Sequence, residues 1–508
     1  MPQLKIAHIN GPRLADEIVV YENTANTGTN VYGIEAVAEN GVITRIGSND
    51  NAVPQNGFVI SGHGKGAEAV RSLCVGAKVA LDRENLTLDV TVDAEALCYG
   101  AKLRLEQIKQ RFELLVNAGE QFDIERAVEN ISKAEKAIGE LDADEAGKFL
   151  DESYYLTAQS RPGEIRAIWH RPKETTAAQV EKTVSRLKDA GFNMILIETN
   201  YEGYCNAAKT VKPWLPLRKE LENADCDIIE EFIKQGKKQG VKIHAWLEDF
   251  FFGVQGEENA MLKLRPDLIA RTRSGNIYVD GWDCFIFLNP ALDEVHDLLA
   301  DLYRELLEKY DFDGIQLDYI RYPVIKDIDH SAGFEEKTVK AFARDTGIDV
   351  TKLDTVNCFE WQRFVDWRSD RVTSYVKRIV DMVAEFRAKG RDIKLSTAVF
   401  GDPAEAIRLK CQNWLYWVKQ RWLDYIFPMA YLADPEDVEK QIRFMVEQYG
   451  EAPNISGISP MYSHLPVIES TKQVEACRRA GAAGVAFFET VALTDIQIEK
   501  LKEGVFRT

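Results

Sequence analysis

Four carboxylates in the second half of the chain could carry acid–base chemistry. Each lies at or near the polar end of an apolar segment, and together they are Asp318, Glu248, Asp434 and Glu489. Hydrolysis of a glycosidic bond uses two carboxyl groups, one to protonate the leaving oxygen and one to act as nucleophile or base. We therefore interpret these four residues as the candidate catalytic groups of a reaction on a sugar.

Other side chains near the same segment ends could bind the substrate. Apolar faces of sugars stack on aromatic rings, and sugar hydroxyl groups bind carboxylates and amides. Arg321 could clamp a substrate carboxylate or pair with Asp318. The predicted substrate-binding residues are Trp169, His170, Glu198, Asn200, His244, Trp246, Asp249, Tyr319, Arg321, Tyr431 and Tyr462.

Asp318 and Glu248 are the first choices among the carboxylates. Asp318 lies between apolar neighbours, where the cost of desolvating a carboxylate requires a partner or a function. Glu248 is the first choice for the general acid, because Asp249 beside it would raise its pKa. Consecutive strand residues face opposite sides, so this pair meets only if the strand ends before it. Asp434 and Glu489 remain alternatives for the second carboxylate.

Eight apolar segments would position these side chains. They are separated by amphipathic or loop stretches, and such near-continuous apolar runs indicate parallel strands covered by helices. Eight repeats favour a (βα)8 TIM barrel, whose active site lies at the C-terminal ends of the strands. A doubly wound sheet is less favoured, because no glycine-rich phosphate loop follows the first segment. The segments are 165–170, 194–200, 242–250, 314–322, 394–400, 425–431, 455–462 and 484–489.

The barrel is predicted to be the last of three parts of an α/β chain. Residues 1–92 contain short alternating or apolar runs between Asn-Gly and similar turns, which predicts a β-rich region. Residues 93–160 carry apolar side chains at steps of three and four, which predicts a helical hairpin that acts as a spacer. The barrel then occupies residues 161–508.

The composition excludes several classes of protein. Hydrophobic residues make up 45% and charged residues 28%, as in ordinary globular chains. A net charge of −18 disfavours nucleic acid as a partner. The eight cysteines form no CxxC motif, and no spacing indicates a metal or cofactor, so we expect neither. An oligo- or polysaccharide is the expected partner, and the oligomeric state is left open.

The sequence also bears on membranes and location. No apolar stretch of about 18 residues predicts a membrane span. The first residues show no signal peptide, which makes a cytoplasmic location the default expectation. The alternative is the cell envelope or secretion, if a leader has been removed.

One block resembles a known family. The sequence FDGIQLDYIRYP at 312–323 is similar to the fourth-strand signature of the glycoside-hydrolase-like family ten barrels, a bacterial group. The resemblance implies a (βα)8 glycoside hydrolase that acts on bacterial envelope or other amino-sugar-containing polysaccharide such as peptidoglycan, with Asp318 in its active site. Five further blocks agree in order, at 164–169, 244–247, 288–290 with 294–295, 366–372 and 423–431.

Two alternatives to this function remain open. A more distant likeness to chitinase-type barrels fails where their catalytic glutamate is replaced by Ile320. That difference motivates a catalytically silent barrel that only binds carbohydrate. Residues 57–64 and 67–79 resemble part of a phosphodiester glycosidase domain, which would place a second activity near His63 in the N-terminal region.

Overall fold

The computed structural model describes residues 3–30, 32–280, 284–460 and 465–507. The N-terminal region is one sheet of eight strands in the order β1-β8-β7-β5-β4-β6-β3-β2, and helix α1 (Lys65–Arg71) packs on its strands β4 and β6. All its strand pairs are antiparallel except β2 with β3. The strands are β1 (Gln3–Lys5), β2 (His8–Ile9), β3 (Ile18–Tyr21), β4 (Gly33–Glu39), β5 (Val42–Ile46), β6 (Gly57–His63), β7 (Lys78–Asp82) and β8 (Thr87–Thr91).

Three helices, not the predicted two, follow the sheet. They are α2 (Ala94–Ala118), α3 (Ile124–Gly139) and α4 (Ala143–Leu156). Asp142 caps α4 by accepting a hydrogen bond from the backbone N–H of Glu145. This helix is not evident from the sequence because only two residues separate the end of α3 from that cap, so the two helical patterns run together.

The second half of the chain is a barrel of eight parallel strands, which confirms the predicted fold class. The order is β17-β16-β15-β12-β10-β9-β19-β18, and bridges from Ile426 to Asn454 and from Met429 to Gly457 bring β17 beside β18. The barrel strands are β9 (Ile165–His170), β10 (Met194–Tyr201), β12 (Lys242–Glu248), β15 (Gly314–Asp318), β16 (Lys394–Val399), β17 (Tyr425–Pro428), β18 (Ile455–Ile458) and β19 (Gly484–Phe487). Among the described residues, three short strands lie outside it, β11 (Tyr204–Cys205), β13 (Phe251–Val254) and β14 (Phe285–Phe287).

Helices surround the barrel strands. Apolar residues that point outward from the strands, such as Ile168, Ala245 and Leu247, join the large core beneath the helices. None of the described helices is long and apolar enough to cross a bilayer. The helices are α5 (Ala177–Asp189), α6 (Ile228–Gln239), α7 (Ala260–Leu264), α8 (Asp293–Lys309), α9 (Glu336–Thr346), α10 (Phe359–Ala388), α11 (Pro403–Lys410), α12 (Trp414–Lys419), α13 (Pro435–Gln448), α14 (Val467–Arg479) and α15 (Asp495–Glu503).

The inside of the barrel is a packed aromatic core. Because side chains alternate along a strand, Trp169 and Trp246 point inward and pack with Phe427 and Phe488. The indole N–H of Trp169 donates to Gln316 Oε1 at 2.6 Å. We call this packed layer of Trp169, Trp246, Phe427 and Phe488 the aromatic floor. Side chains at the C-terminal strand ends lie directly above it.

The N-terminal sheet packs against helix α13 of the barrel. Asp434 caps this helix, and its Oδ2 accepts a hydrogen bond from the backbone N–H of Ser48 at 2.6 Å. Gly47 has φ of 139°, and a Cβ there would lie 2.7 Å from the same oxygen, so the close approach requires glycine. Asp434 thus fastens two parts of the chain together.

Candidate active site

Adjacent strands bring Glu248 and Asp318 side by side at the barrel mouth. The two residues are register partners at the ends of β12 and β15. Side chains two residues apart share a face, so Glu248 points inward like Trp246. Neighbouring strands lie about 4.8 Å apart, which sets the scale of the separation between these two residues.

Asp318 is held by donors on both oxygens. Its Oδ2 accepts from the indole N–H of Trp246 at 2.9 Å, and its Oδ1 accepts from the backbone N–H of Tyr319 at 2.6 Å. Burial raises the pKa of Asp318, and these hydrogen bonds and the charges of Arg321 and Arg171 offset that rise only in part. The side chain is 9% exposed, so a carboxylate is kept at the mouth with little contact with bulk water.

Arg171 links three glutamates above the aromatic floor. Its Nε donates to Glu198 at 2.8 Å and its Nη2 donates to Glu248 at 3.1 Å. Its Nη1 lies 3.7 Å from Glu489. The guanidinium also lies 4.3 Å from the ring centre of Tyr201. Even with the charge of Arg218 also acting on Glu198, the three carboxylates outnumber the cations beside them, which favours a retained proton.

That proton is best placed on Glu248. Burial, followed by the charge of Glu198, raises the pKa of Glu248 well above its ordinary value. Burial also raises the pKa of Glu198 to about 8, although Arg171 opposes this. Oε2 of Glu248 is buried and has no hydrogen-bond partner among the described residues, whereas Oε1 accepts from Arg171. A protonated Oε2 therefore has a hydrogen bond left to donate.

The remaining polar residues of the mouth support this pair. Nδ2 of Asn200 donates to the carbonyl oxygen of Glu248 at 3.2 Å, so Asn200 braces the strand end. Arg321 does not pair with Asp318; its Nη1 donates to Asp280 at 2.6 Å. Its charge nonetheless acts on Asp318.

Partly exposed aromatic rings line the same region. Tyr319 stacks on Phe251 with ring centres 4.8 Å apart and an interplanar angle of 30°. Tyr431 packs beside Phe488 at 5.7 Å. These rings keep part of their surface open, which is what stacking on a sugar requires.

A cleft of about 360 Å³ opens beside the glutamates. Its wall includes Arg171, Glu198 and Tyr201 from the mouth, together with Arg218 and Leu221 from the loop that follows β11. A cleft lined by a few charged groups together with apolar and aromatic side chains is typical of a small-molecule site. The cleft lies on the Glu198 side of the mouth.

Three predicted residues are not brought to the mouth. His170 points outward, with Nε2 3.2 Å from Glu174 and its ring packed on Phe232. His244 lies inside the barrel but two residues below Trp246 along β12, and burial lowers its pKa to about 4. Asp249 faces the surrounding helices, because the strand alternation turns it away from Glu248. The prediction that Asp249 raises the pKa of Glu248 is therefore wrong. The neighbouring acid that raises this pKa is Glu198.

Three more predicted residues have other positions. Trp169 and Trp246 are 1% and 0% exposed, so they form the floor of the mouth and offer no open face to a sugar. Asp434 caps α13 and holds Ser48, away from the carboxylate cluster. Tyr462 lies outside the described residues.

Asp249 instead anchors two helices, and its loss should destabilise the fold. Its carboxylate accepts from the hydroxyl groups of Tyr375 at 2.6 Å and Tyr303 at 3.1 Å. Asp249→Ala leaves both hydroxyls without this acceptor, at about 1–3 kcal/mol each. We expect the free energy of unfolding to fall by about 2–6 kcal/mol in urea denaturation. Asp381→Ala, at an exposed helix position, should leave it nearly unchanged and serves as the control.

The same residue predicts a pH dependence of stability. Burial raises the pKa of Asp249 well above its ordinary value. A carboxyl group with a raised folded-state pKa contributes most below its unfolded pKa of about 3.9 and loses this contribution as the pH rises through the folded pKa. The free energy of unfolding should therefore fall toward alkaline pH, and Asp249→Asn should reduce that fall. A variant with the wild-type slope would contradict the assignment.

Two residues that organise the mouth were assigned no role from the sequence. Arg171 directly follows β9, and that position at a strand end was the available signal. Asp280, the partner of Arg321, lies in a long loop with no pattern that predicts the pair. Among the described residues, no group of three or more His, Cys, Asp or Glu side chains is arranged to hold a metal ion.

Comparisons with known proteins identify the family of the barrel. Residues 164–449 match the family described as Glycosyl hydrolase-like 10, which confirms the resemblance seen in the sequence. The Glycosyl hydrolase DigH of Escherichia coli O6:H1 is 22% identical over 281 residues, covering 51% of this chain and 59% of that protein. The S-layer-related protein of Niallia circulans is 26% identical over 303 residues, covering 51% of this chain and 18% of that protein.

A solved structure shares the fold. The catalytic domain of the β-amylase from Paenibacillus polymyxa aligns with a TM-score of 0.50 at 12% identity, covering 68% of this chain and 99% of that one. At this identity the likeness supports the barrel fold alone. The aligned part of this chain spans 59% of the length of the DigH relatives.

Proposed function

The chain belongs to the glycosyl hydrolase-like 10 family, and on this premise we propose that it hydrolyses O-glycosidic bonds in an amino-sugar-containing polysaccharide such as that of a bacterial envelope. The observation that carries the proposal is the pair of Glu248 and Asp318 on adjacent strands in contrasting environments. Environments that push two carboxyl pKa values apart assign an acid and a base. The expected substrate is an oligo- or polysaccharide.

The two carboxyl groups have separate roles in this reaction. Protonated Glu248 donates its proton to the glycosidic oxygen as the bond from that oxygen to the anomeric carbon breaks. Ionised Asp318 forms a bond to the anomeric carbon, and the indole N–H of Trp246 keeps its carboxylate oriented. Water then displaces Asp318 and gives its proton to Glu248, which restores both groups.

This reaction predicts retention of the anomeric configuration. Retaining enzymes place their carboxyl groups about 5–5.5 Å apart and inverting enzymes about 6.5–9.5 Å apart. Register partners on neighbouring strands, about 4.8 Å apart, favour the shorter separation. Proton NMR of the first product formed should show the anomer of the substrate. An initial product of the opposite anomer would make Asp318 a general base instead.

A glycan screen tests the substrate class. Purified protein is incubated with denuded peptidoglycan, chitin oligomers and a neutral glucan, and reducing ends are measured over time. We expect release from an amino-sugar glycan and none from the glucan. The Asp318→Asn protein measures the background of each assay. Release from the glucan alone would contradict the amino-sugar proposal while leaving hydrolysis intact.

One observation supports the silent-barrel alternative. The position of the chitinase-type glutamate is Ile320, which is buried in the outer core and carries no acid. A barrel that only binds glycan would retain the polysaccharide but release no reducing ends in wild type or variant.

For the N-terminal alternative, His63 forms no side-chain hydrogen bond or ion pair with a carboxylate in the described part of the chain.

A further inference from the structure

The block at 366–372, which the proposed reaction does not use, contains a buried arginine. Arg368 on α10 is 0% exposed. Its Nη1 donates to the carbonyl oxygen of Ala332 at 2.7 Å, but Nε and Nη2 have no hydrogen-bond partner among the described residues. A buried guanidinium that lacks a counter-charge carries a large desolvation cost. Its two partnerless nitrogens therefore point to a ligand.

The two nitrogens form one side of the guanidinium. Nε–H and Nη2–H point the same way and form a fork that holds one anion through two hydrogen bonds. The hydroxyl of Tyr322, whose ring centre lies 5.1 Å from the guanidinium carbon, is also buried without a partner. Of the charged groups that act on the pKa of this hydroxyl, Arg368 has the largest effect. A third buried donor is thus present on a ring that lies beside the guanidinium.

No described carboxylate fills this role. Glu335, which also acts electrostatically on Tyr322, already accepts hydrogen bonds from the backbone N–H of Arg271 and from Nδ2 of Asn289. Rings of Trp361 and Phe364 cover the guanidinium at 5.2 and 4.2 Å. Aromatic faces attract the cation but accept no conventional hydrogen bond from Nε or Nη2 in this arrangement.

We propose that Arg368 and Tyr322 form a buried binding site for a small monovalent anion, chloride. The fork of Arg368 supplies two donors and Tyr322 supplies the third. A monatomic anion fits because the surrounding aromatic rings offer no second set of donors for a larger oxyanion. Trp361, whose ring covers the guanidinium, also lines a cavity of about 410 Å³ together with Ile325.

Bromide crystallography tests the site directly, since bromide replaces chloride and scatters anomalously. Crystals of the wild-type protein are grown in sodium bromide without carboxylate buffers. We expect one anomalous peak within hydrogen-bond distance of Nε and Nη2 of Arg368. Ordered water at that position without anomalous signal would overturn the proposal, and so would a bound oxyanion from the medium.

Thermal unfolding gives a second test that does not need crystals. Chloride is exchanged for gluconate at constant sodium concentration, so that ionic strength stays fixed. Above the dissociation constant, Tm should rise by about 2 °C for each tenfold increase in chloride. The acidic surface of the protein makes non-specific anion binding weak, so a shift reports a specific site.

Variants separate the site from general salt effects. Arg368→Met should abolish the chloride dependence of Tm, and Tyr322→Phe should weaken chloride binding by about tenfold. Arg304→Met removes an exposed arginine paired with Glu385 and should keep the full dependence. If Arg368→Met does not fold, Tyr322→Phe and the bromide crystal still decide. An unchanged chloride dependence in Tyr322→Phe would remove the hydroxyl from the site.

Discussion

Asp318→Asn should lower kcat by about a thousandfold or more on the glycan that the wild-type protein cleaves, as removal of a nucleophile does. Asparagine keeps the shape of the side chain and can accept from Trp246, but it is a far weaker nucleophile than a carboxylate. Affinity for the glycan should stay within the same order of magnitude, because the aromatic rings and Arg321 are unchanged. Reducing-end release and glycan binding are measured on the same preparation.

The matched control for this variant is Asp249→Asn. Both aspartates are buried and lie close to each other, since the backbone N–H of Asp249 donates to the carbonyl oxygen of Asp318 at 2.8 Å. Only the side chain of Asp318 faces the mouth. Equal losses of activity in the two variants would indicate that buried charge, and not catalysis, explains the effect. Full activity in Asp318→Asn would remove this residue from the reaction.

Glu248→Gln should lower kcat by about 10²–10⁴-fold on a natural glycan, the usual contribution of a general acid. The physical reason is the loss of the proton on Oε2, the oxygen without a partner among the described residues. An aryl glycoside with a nitrophenol leaving group needs little protonation, so the variant should lose much less activity on it. The ratio of the two losses is the diagnostic measurement.

The pH profile checks the same assignment. Glu248 must be protonated to act, so activity should fall as the pH rises through its raised pKa. Asp318 must be ionised, so activity should also fall as the pH drops through the pKa of Asp318. Glu248→Gln should lose the alkaline limb and keep the acidic limb. A variant profile identical in shape to the wild type would contradict the assignment.

Glu198→Gln is the control for Glu248. It removes a glutamate that also binds Arg171 and adds to the charge beside Glu248. We expect it to shift the alkaline limb to lower pH, because Glu248 would lose a neighbouring negative charge. The loss of activity in Glu198→Gln should be the same on a natural glycan and on an aryl glycoside with a good leaving group. If the loss is smaller on the aryl glycoside, Glu198 is the acid and Glu248 is its neighbour.

The barrel could be predicted because its signals are local in the sequence. Each of the eight apolar segments becomes a strand, and β9 covers the same residues that the sequence indicated. Most of the predicted strands were too long at their C-terminal ends, as at 314–322, where β15 ends at Asp318. Apolar residues such as Ile320 and Tyr322 continue into a buried loop, and an apolar run does not distinguish a strand from such a loop.

The site could be predicted only in part. The end of a strand tells how far along the barrel axis a residue lies, but not whether its side chain points into the barrel or outward. Asp249 and His170 lie at strand ends, yet both point outward, and only the register decides this. Arg171 binds three glutamates that are far apart in the sequence, so no spacing could reveal the cluster. Asp434 looked catalytic because it follows a strand, but it is a helix cap.

The most direct test of the account is a crystal structure of the Asp318→Asn protein with an amino-sugar oligosaccharide. We expect the sugar chain to cross the mouth, with the glycosidic oxygen about 2.6–3.2 Å from Oε2 of Glu248. The anomeric carbon should lie about 3–3.5 Å from the side chain of residue 318. An oligosaccharide bound at the mouth with neither atom near these two side chains would contradict the proposed catalytic pair.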